Sequence, residues 1–147
     1  GISITPFQIA SAYSVFANDG EFKDFKIFKN QEVTSRKIIS SDSAAHILDA
    51  LTKVVKDGTG KAAYIKGFSA GGKTGTAHRI GSSSGYAEDL YVASFAGIAP
   101  IGDESLTIFV SINNPGLNSY TGGAVAAPVF AKIAESSLNH LGYFEDE

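Results

Sequence analysis

Four consecutive residues, Lys73-Thr74-Gly75-Thr76, set a cation, two hydroxyls and a position without a side chain next to one another. In a strand, side chains alternate between two faces. Lys73 and Gly75 then share one face, and Thr74 and Thr76 share the other. Gly75 leaves the backbone open to close approach by a ligand or another stretch of chain. Hydroxyls and backbone N–H groups with a lysine beside them suit an anion, such as a carboxylate or a developing oxyanion. The competing reading is an ordinary strand with a solvated lysine, and the four residues alone do not separate the two.

The other reactive groups are scattered. His46, His78 and His140 fall in three different elements with no spacing such as His-x-x-x-His, so no metal site is expected. His46 and His140 read as helix-surface residues. His78 and Arg79 follow Thr76 closely enough to touch a ligand, although solvation at a strand end is the commoner fate. Glu88 and Asp89 are adjacent carboxylates in a Gly/Ser-rich stretch, which reads as a loop tip rather than an acid/base pair. Gly58-Thr59-Gly60 lacks the spacing of a phosphate loop or a dinucleotide fingerprint. A serine nucleophile needs an activating base or lysine within hydrogen-bond reach. No serine here begins a Ser-x-x-Lys sequence. A Ser-x-Asn triplet at Ser137-Leu138-Asn139 lies on an amphipathic helical stretch and reads as coincidence.

Composition narrows the classes further. The chain has 147 residues, which suits one domain or part of a larger one, and allows a sizeable core. A net charge of −3 gives no general attraction to nucleic acid or anionic lipid. Phe22-Lys23, Phe25-Lys26 and Phe28-Lys29 interleave aromatics with lysines, as a single-strand binding platform does. No other basic cluster supports that reading, and no nucleic-acid partner is expected. The absence of cysteine excludes disulfides, thiol nucleophiles and thiolate metal sites. No run of about 18 apolar residues and no signal peptide is present, so the chain is expected to be soluble rather than to cross a membrane. It opens at Gly1-Ile2-Ser3 without a methionine, which fits an excised or processed piece.

The elements that would position Lys73 to Thr76 follow from periodicity and punctuation. Thr5-Pro6 reads as the start of a helix over roughly 5–18, with Thr5 as N-cap. Phe7, Ile9, Ala10, Tyr13, Val15, Phe16 and Ala17 make it apolar enough to be mostly buried, and Gly20 can end it in a left-handed conformation. Residues 21–40 read as a short, partly buried strand pair turning near Asn30-Gln31. Ser41-Asp42 caps a second helix, roughly 42–56, with Ala45, Leu48, Leu51, Val54 and Val55 as its buried face. Thr59 is placed to cap a short turn through Ala62 and Ala63. Strands are expected at about 69–79, 91–99 and 106–112. A Gly/Ser loop over 81–85, continuing to Asp89, joins the first two, and the short turn at 101–104 makes the last two an antiparallel hairpin. A helix over 124–141 follows, with Val129, Phe130, Ile133, Ala134, Leu138 and Leu141 on one face and an acidic tail at Glu145-Asp146-Glu147. The class is α+β, with three antiparallel strands flanked by helices.

Lys73-Thr74-Gly75 matches the third of the three signatures of penicillin-binding proteins and class A β-lactamases. The flanks narrow this. Ile4-Thr5-Pro6-Phe7-Gln8-Ile9-Ala10, Ala12-Tyr13 and Ala17-Asn18-Asp19-Gly20 resemble the helix that precedes this signature in high-molecular-weight penicillin-binding proteins. Gly58-Thr59-Gly60-Lys61-Ala62-Ala63 resembles their Gly-Thr-Gly segment. Phe95-Ala96-Gly97-Ile98-Ala99-Pro100 and Gly122-Gly123-Ala124-Val125-Ala126-Ala127-Pro128-Val129-Phe130 resemble the class B, division-type enzymes. The matches run in order from Gly1 to about Leu141.

That resemblance implies the penicillin-binding/serine β-lactamase-like fold, in which residues 1–147 form the C-terminal portion of one incomplete domain. It implies a parent peptidoglycan D,D-transpeptidase, in which a serine attacks a D-Ala-D-Ala stem peptide and passes the acyl group to a neighbouring amine, in septal wall synthesis. β-Lactams would acylate the same serine, and no cofactor is implied. By position, Lys73 would help hold the substrate carboxylate and polarise the site. The Thr74 and Thr76 hydroxyls would bind that carboxylate, with Gly75 between them, and the Thr76 backbone N–H would form half of an oxyanion hole. Tyr91 and Tyr120 would wall the cleft. The Ser-x-x-Lys signature and the family's second signature are expected upstream, in the rest of the same domain. The chain alone should then be inactive. The parent would be anchored in the bacterial inner membrane with this domain on the periplasmic side, beside division proteins. Two alternatives stay open: a fragment of a D,D-carboxypeptidase or β-lactamase, and a non-catalytic module of a cell-wall assembly.

Overall fold

The computed structural model describes residues 3–80, 86–102, 104–116 and 118–143. The expected Gly/Ser loop at 81–85 and the acidic tail lie outside the described residues. Among the described residues the elements run α1 (Pro6–Ala17), β1 (Glu21–Lys23), β2 (Ser35–Lys37), α2 (Ser41–Lys56), β3 (Gly71–Ile80), β4 (Tyr86–Ala99), β5 (Leu106–Asn113) and α3 (Ala127–Leu141). A 3₁₀ turn at Lys61–Ala63 precedes β3, and a π-helical turn at Gly122–Ala126 leads into α3.

Local chemistry sets the helix starts. Thr5 Oγ1 accepts the Gln8 N–H at 3.2 Å, while the Gln8 side-chain carbonyl accepts the Thr5 N–H at 2.9 Å. This reciprocal capping box satisfies two donors that the first turn would otherwise leave open. Gly20 takes φ +88, the left-handed turn expected after α1. In α2 the cap is Ser40 rather than Ser41 or Asp42: its Oγ accepts the Ser43 N–H at 3.2 Å. Three residues in a row there can cap, and the one with extended backbone does so. Asp42 then sits in the first turn and Lys53 and Lys56 in the last, each favourable to the helix dipole.

Two helix faces differ from the spacing-based expectation. In α2 the buried stripe is Ala44, Leu51 and Val55, with Leu48 and Val54 half-buried, whereas Ala45 is exposed. The stripe thus runs 44, 48, 51, 55, one residue off at its start. In α3, Phe130, Ala134 and Leu138 are buried, but Val129, Ile133 and Leu141 are exposed. A three-stranded sheet covers a narrow part of the helix, so one row at i, i+4, i+8 is packed and its neighbours are not. Helix α1 departs most. Val15 alone is buried in it, and Phe7 is 52% exposed. Strands β1, β4 and β5 and helix α2 cover part of α1, and a groove of about 440 Å³ opens along Phe7, Ala12, Val15, Phe16, Phe22 and Ile38.

The main sheet has the order β3-β4-β5 and is antiparallel throughout. Among the described residues, β3 and β5 each pair with β4 alone. β4 begins at Tyr86, so the backbone of Glu88 and Asp89 belongs to a strand rather than to the expected loop; the strand continues the β3 pairing past a register shift between His78 and Ile80. The register sets Thr74 opposite Phe95 and Thr76 opposite Ala93, with Gly75 opposite Ser94. The Phe95 face carries the core: Phe95, Ala99 and Val110 from the sheet pack on Phe130, Ala134 and Leu138 of α3. The Phe95 and Phe130 rings lie 4.9 Å apart. Both are fully buried, and burying a side chain of this size stabilises a fold by about 1.5–3 kcal/mol.

Candidate active site

Strand β3 presents its chemistry as the alternation predicts. Thr74 and Thr76 lie on the face that also carries Phe95, and toward the chain's own turns they open into a cleft of about 420 Å³. Thr59, Thr121, Gly123 and Ala124 complete its lining. Lys73 lies on the opposite face, exposed, with its Nζ donating to the Thr74 carbonyl at 2.9 Å. The structure therefore brings Thr74 and Thr76 together and holds Lys73 beside them from across the strand.

On the open side of Gly75 a Cβ would meet Ser94 Oγ at 2.5 Å, while on the threonine face this chain's own Gly122 lies over the strand backbone. A Cβ on Gly122 would lie 2.2 Å from the Ser94 carbonyl oxygen and 2.5 Å from that of Gly75. Only a residue without a side chain can lie this flat over the backbone of β3 and β4. From there the Gly122 N–H donates to Thr76 Oγ1 at 3.1 Å. Thr121, the cap of the π-helical turn, accepts the Ala124 N–H on its own Oγ1 at 3.3 Å. Thr59 stands opposite: its hydroxyl is 2.9 Å from that of Thr74. It does not cap the 3₁₀ turn as expected. Gly60 holds that position without a side-chain bond, so the Thr59 hydroxyl is directed to β3 instead.

An aromatic wall continues the threonine row. His78 follows Thr74 and Thr76 on the same face of β3, directly opposite Tyr91 of β4. The His78 and Tyr91 rings are 4.5 Å apart, and Tyr91 stacks on Tyr120 at 4.3 Å with 24° between the planes. Chemically, the cleft offers threonine hydroxyls, and the stacked rings beside it offer a flat aromatic surface. That combination suits a ligand with an anionic end and a bulky neutral body.

A model of the penicillin binding protein transpeptidase domain matches residues 1–135. The chain belongs to the penicillin-binding protein transpeptidase family. Stage V sporulation protein D of Bacillus subtilis is 35% identical over 155 aligned residues, taking in 97% of this chain and 24% of that protein. Peptidoglycan D,D-transpeptidase FtsI of Buchnera aphidicola is 34% identical over 143 residues, or 96% of this chain and 25% of that protein. Among solved structures, the transpeptidase domain of penicillin-binding protein 3 from Burkholderia pseudomallei superposes with a TM-score of 0.87 at 34% identity, covering 100% of this chain and 45% of that one. Penicillin-binding protein 3 of Mycobacterium tuberculosis, solved with aztreonam, gives 0.81 at 27% identity, covering 100% of this chain and 37% of that one. The chain spans about a quarter of the length of these two curated relatives. The mixed helix-and-strand fold with a three-stranded antiparallel sheet is that of the transpeptidase neighbours.

Elsewhere in the chain, the remaining candidates separate from the cleft. His46 and His140 are exposed on α2 and α3. Among the described residues no group of three His, Cys, Asp or Glu side chains is placed to hold a metal. Ser137 lies on α3, and a second Ser-x-Asn triplet, Ser111-Ile112-Asn113, lies on β5, where Ser111 faces Ser94 rather than the threonines. Residues that sequence reading did not assign to the site are Thr59, Thr121 and Gly122. The signal available for them was the pair of glycine-flanked threonines, Gly58-Thr59-Gly60 and Thr121-Gly122-Gly123.

Proposed function

We propose that this chain forms one wall of the active site of a peptidoglycan D,D-transpeptidase. The observation that carries the reading is the threonine cleft of β3 in a chain of the transpeptidase family: Thr74 and Thr76 side by side, with Thr76 held by the Gly122 N–H. In the proposed reaction a serine oxygen bonds to the carbonyl carbon of the penultimate D-Ala and the C–N bond to the terminal D-Ala breaks. D-Ala leaves with a proton on its nitrogen. An amine of a neighbouring strand then attacks the ester, the C–O bond breaks, and the serine recovers its proton.

This chain's part is binding and charge stabilisation. The Thr74 and Thr76 hydroxyls donate to the terminal carboxylate, Lys73 adds positive charge next to Thr74, and the Thr76 N–H donates to the carbonyl oxygen as it becomes an oxyanion. One such donor is worth about 10²–10³ in rate. Gly75 keeps the strand narrow between the two threonines, and Tyr91 and Tyr120 hold the neutral body of the stem peptide or of a β-lactam. The nucleophile comes from outside these 147 residues, since none of their serines has the Ser-x-x-Lys setting. Residues 1–147 would then be the C-terminal portion of a single transpeptidase domain. Anchoring in the inner membrane, a periplasmic site and partners of the division machinery belong to the same proposal. Among the described residues no helix is long and apolar enough to cross a membrane.

The test uses the full-length protein. Incubation with benzylpenicillin should add the mass of one penicillin at one serine upstream of Gly1, and incubation with D-Ala-D-Ala stem peptides should yield cross-linked dimers. A protein that takes up no penicillin contradicts the reading. One that takes it up and only hydrolyses the stem peptide is a carboxypeptidase instead.

A further inference from the structure

Thr59 has no part in the reaction described above, yet its hydroxyl lies 2.9 Å from that of Thr74. The two residues come from separate elements, Thr59 from the turn after α2 and Thr74 from β3. The turn is held in place: a Cβ on Gly123 would sit 2.3 Å from the Thr59 carbonyl oxygen, so Thr59 is packed between β3 and the start of the π-helical turn.

A threonine hydroxyl has one proton to give and two lone pairs to accept with. In this cleft Thr76 Oγ1 already accepts from Gly122, and Thr121 Oγ1 from Ala124. Each of these hydroxyls keeps its proton for a ligand. The Thr74 hydroxyl can go either way. If it donates to Thr59, its proton is used and its lone pairs face the cleft, where they repel an anion. If it accepts from Thr59, its proton is free to join the other two.

We propose that Thr59 is a positioning residue that donates to Thr74 and so turns the Thr74 proton toward a bound carboxylate. The inference rests on the carboxylate-binding reading of the cleft. Thr59 acts through Thr74, and its contribution exists only for ligands that carry the anion.

The test compares acylation of the full-length protein by benzylpenicillin and by its methyl ester, which lacks the anion. Thr59→Val removes the hydroxyl and keeps the shape, and Thr59→Ser keeps the hydroxyl. Thr59→Ala is run beside them, so that poor folding of one variant leaves the comparison intact. Thr59→Val and Thr59→Ala should slow acylation by benzylpenicillin about tenfold. The rate with the ester should stay within about twofold of wild type, and Thr59→Ser should restore the rate with the free acid. In a Thr74→Val background, Thr59→Val should have no further effect, because the two act as one unit. Unchanged acylation, or equal losses with acid and ester, overturns the inference while leaving the transpeptidase reading in place. A wild-type protein acylated by neither compound overturns both.

Discussion

The Gly122 N–H donates to Thr76 Oγ1 at 3.1 Å, joining residues 46 apart in sequence. This bond ties the entry of α3 to the strand that carries the threonines. It depends on Gly122 lying over the backbone, where a Cβ would fall 2.2 Å from the Ser94 carbonyl and 2.5 Å from the Gly75 carbonyl. Backbone atoms cannot swing aside as a long side chain would. Gly122→Ala should therefore lift the π-helical turn off β3. The expected cost is about 1–3 kcal/mol of stability, read by thermal melting. Acylation of the full-length protein by benzylpenicillin should slow at least about tenfold, since Thr76 loses its fixed orientation. A variant that melts and reacts like wild type would contradict this role.

The Tyr91–Tyr120 stack predicts a different signature. Tyr120 is partly exposed and packs on one ring, at 4.3 Å. Such a pair is worth about 0.5–1.5 kcal/mol, so Tyr120→Ala should leave the protein folded. If the rings hold the neutral body of the ligand, the concentration needed for half-maximal acylation should rise about fivefold while the limiting rate holds. A lowered limiting rate with unchanged half-saturation would assign Tyr120 to the chemical step instead.

A third prediction concerns the 147 residues by themselves. No serine among them has a lysine three residues on, and so none has the local base that would activate it. After incubation with a fluorescent penicillin, the isolated chain should show no covalent mass increase. Stoichiometric labelling at one serine would contradict the assignment of the nucleophile to another part of the protein.

The sheet supplies a fourth. Among the described residues β3 and β5 pair only with β4, which leaves each with an outer edge of unpaired backbone groups. Open edges template pairing with another strand, and the apolar groove along α1 adds surface that favours contact. The isolated chain should self-associate, with a sedimentation coefficient that rises with concentration. A monomer at every concentration would contradict this.

Local signals account for what was legible beforehand. The strand–turn–strand order of β3, β4 and β5 follows from alternation and punctuation. The assignment of Thr74 and Thr76 to one face, opposite Lys73, follows from the period of two. Thr5 as a cap and Gly20 as a left-handed turn are equally local. What escaped depends on contacts between distant segments. Nothing within Gly58-Thr59-Gly60 says that its hydroxyl meets Thr74, and nothing in Thr121-Gly122-Gly123 says that the backbone of β3 lies beneath it. The dense apolar content of α1 gave a buried helix, but burial needs something to pack against, and the elements around it cover only the side near Val15. The exposure of Ile133 beside buried Ala134 has the same origin: helical spacing defines a face, and the neighbouring elements decide how much of it is covered.

The role proposed for Lys73 to Thr76 is the anion-binding wall of a penicillin-reactive site. Its most direct test is the second-order rate constant for acylation of the full-length Lys73→Ala protein by benzylpenicillin, measured beside its melting temperature. Lys73 is exposed and, among the described residues, bonded only to the neighbouring Thr74 carbonyl, so its removal should leave the melting temperature close to that of wild type. The rate constant should fall on the order of 10²-fold, as for loss of one preorganised charge or donor at a developing oxyanion. Acylation at the wild-type rate would make Lys73 a surface lysine of an ordinary strand, with no part in holding an anion.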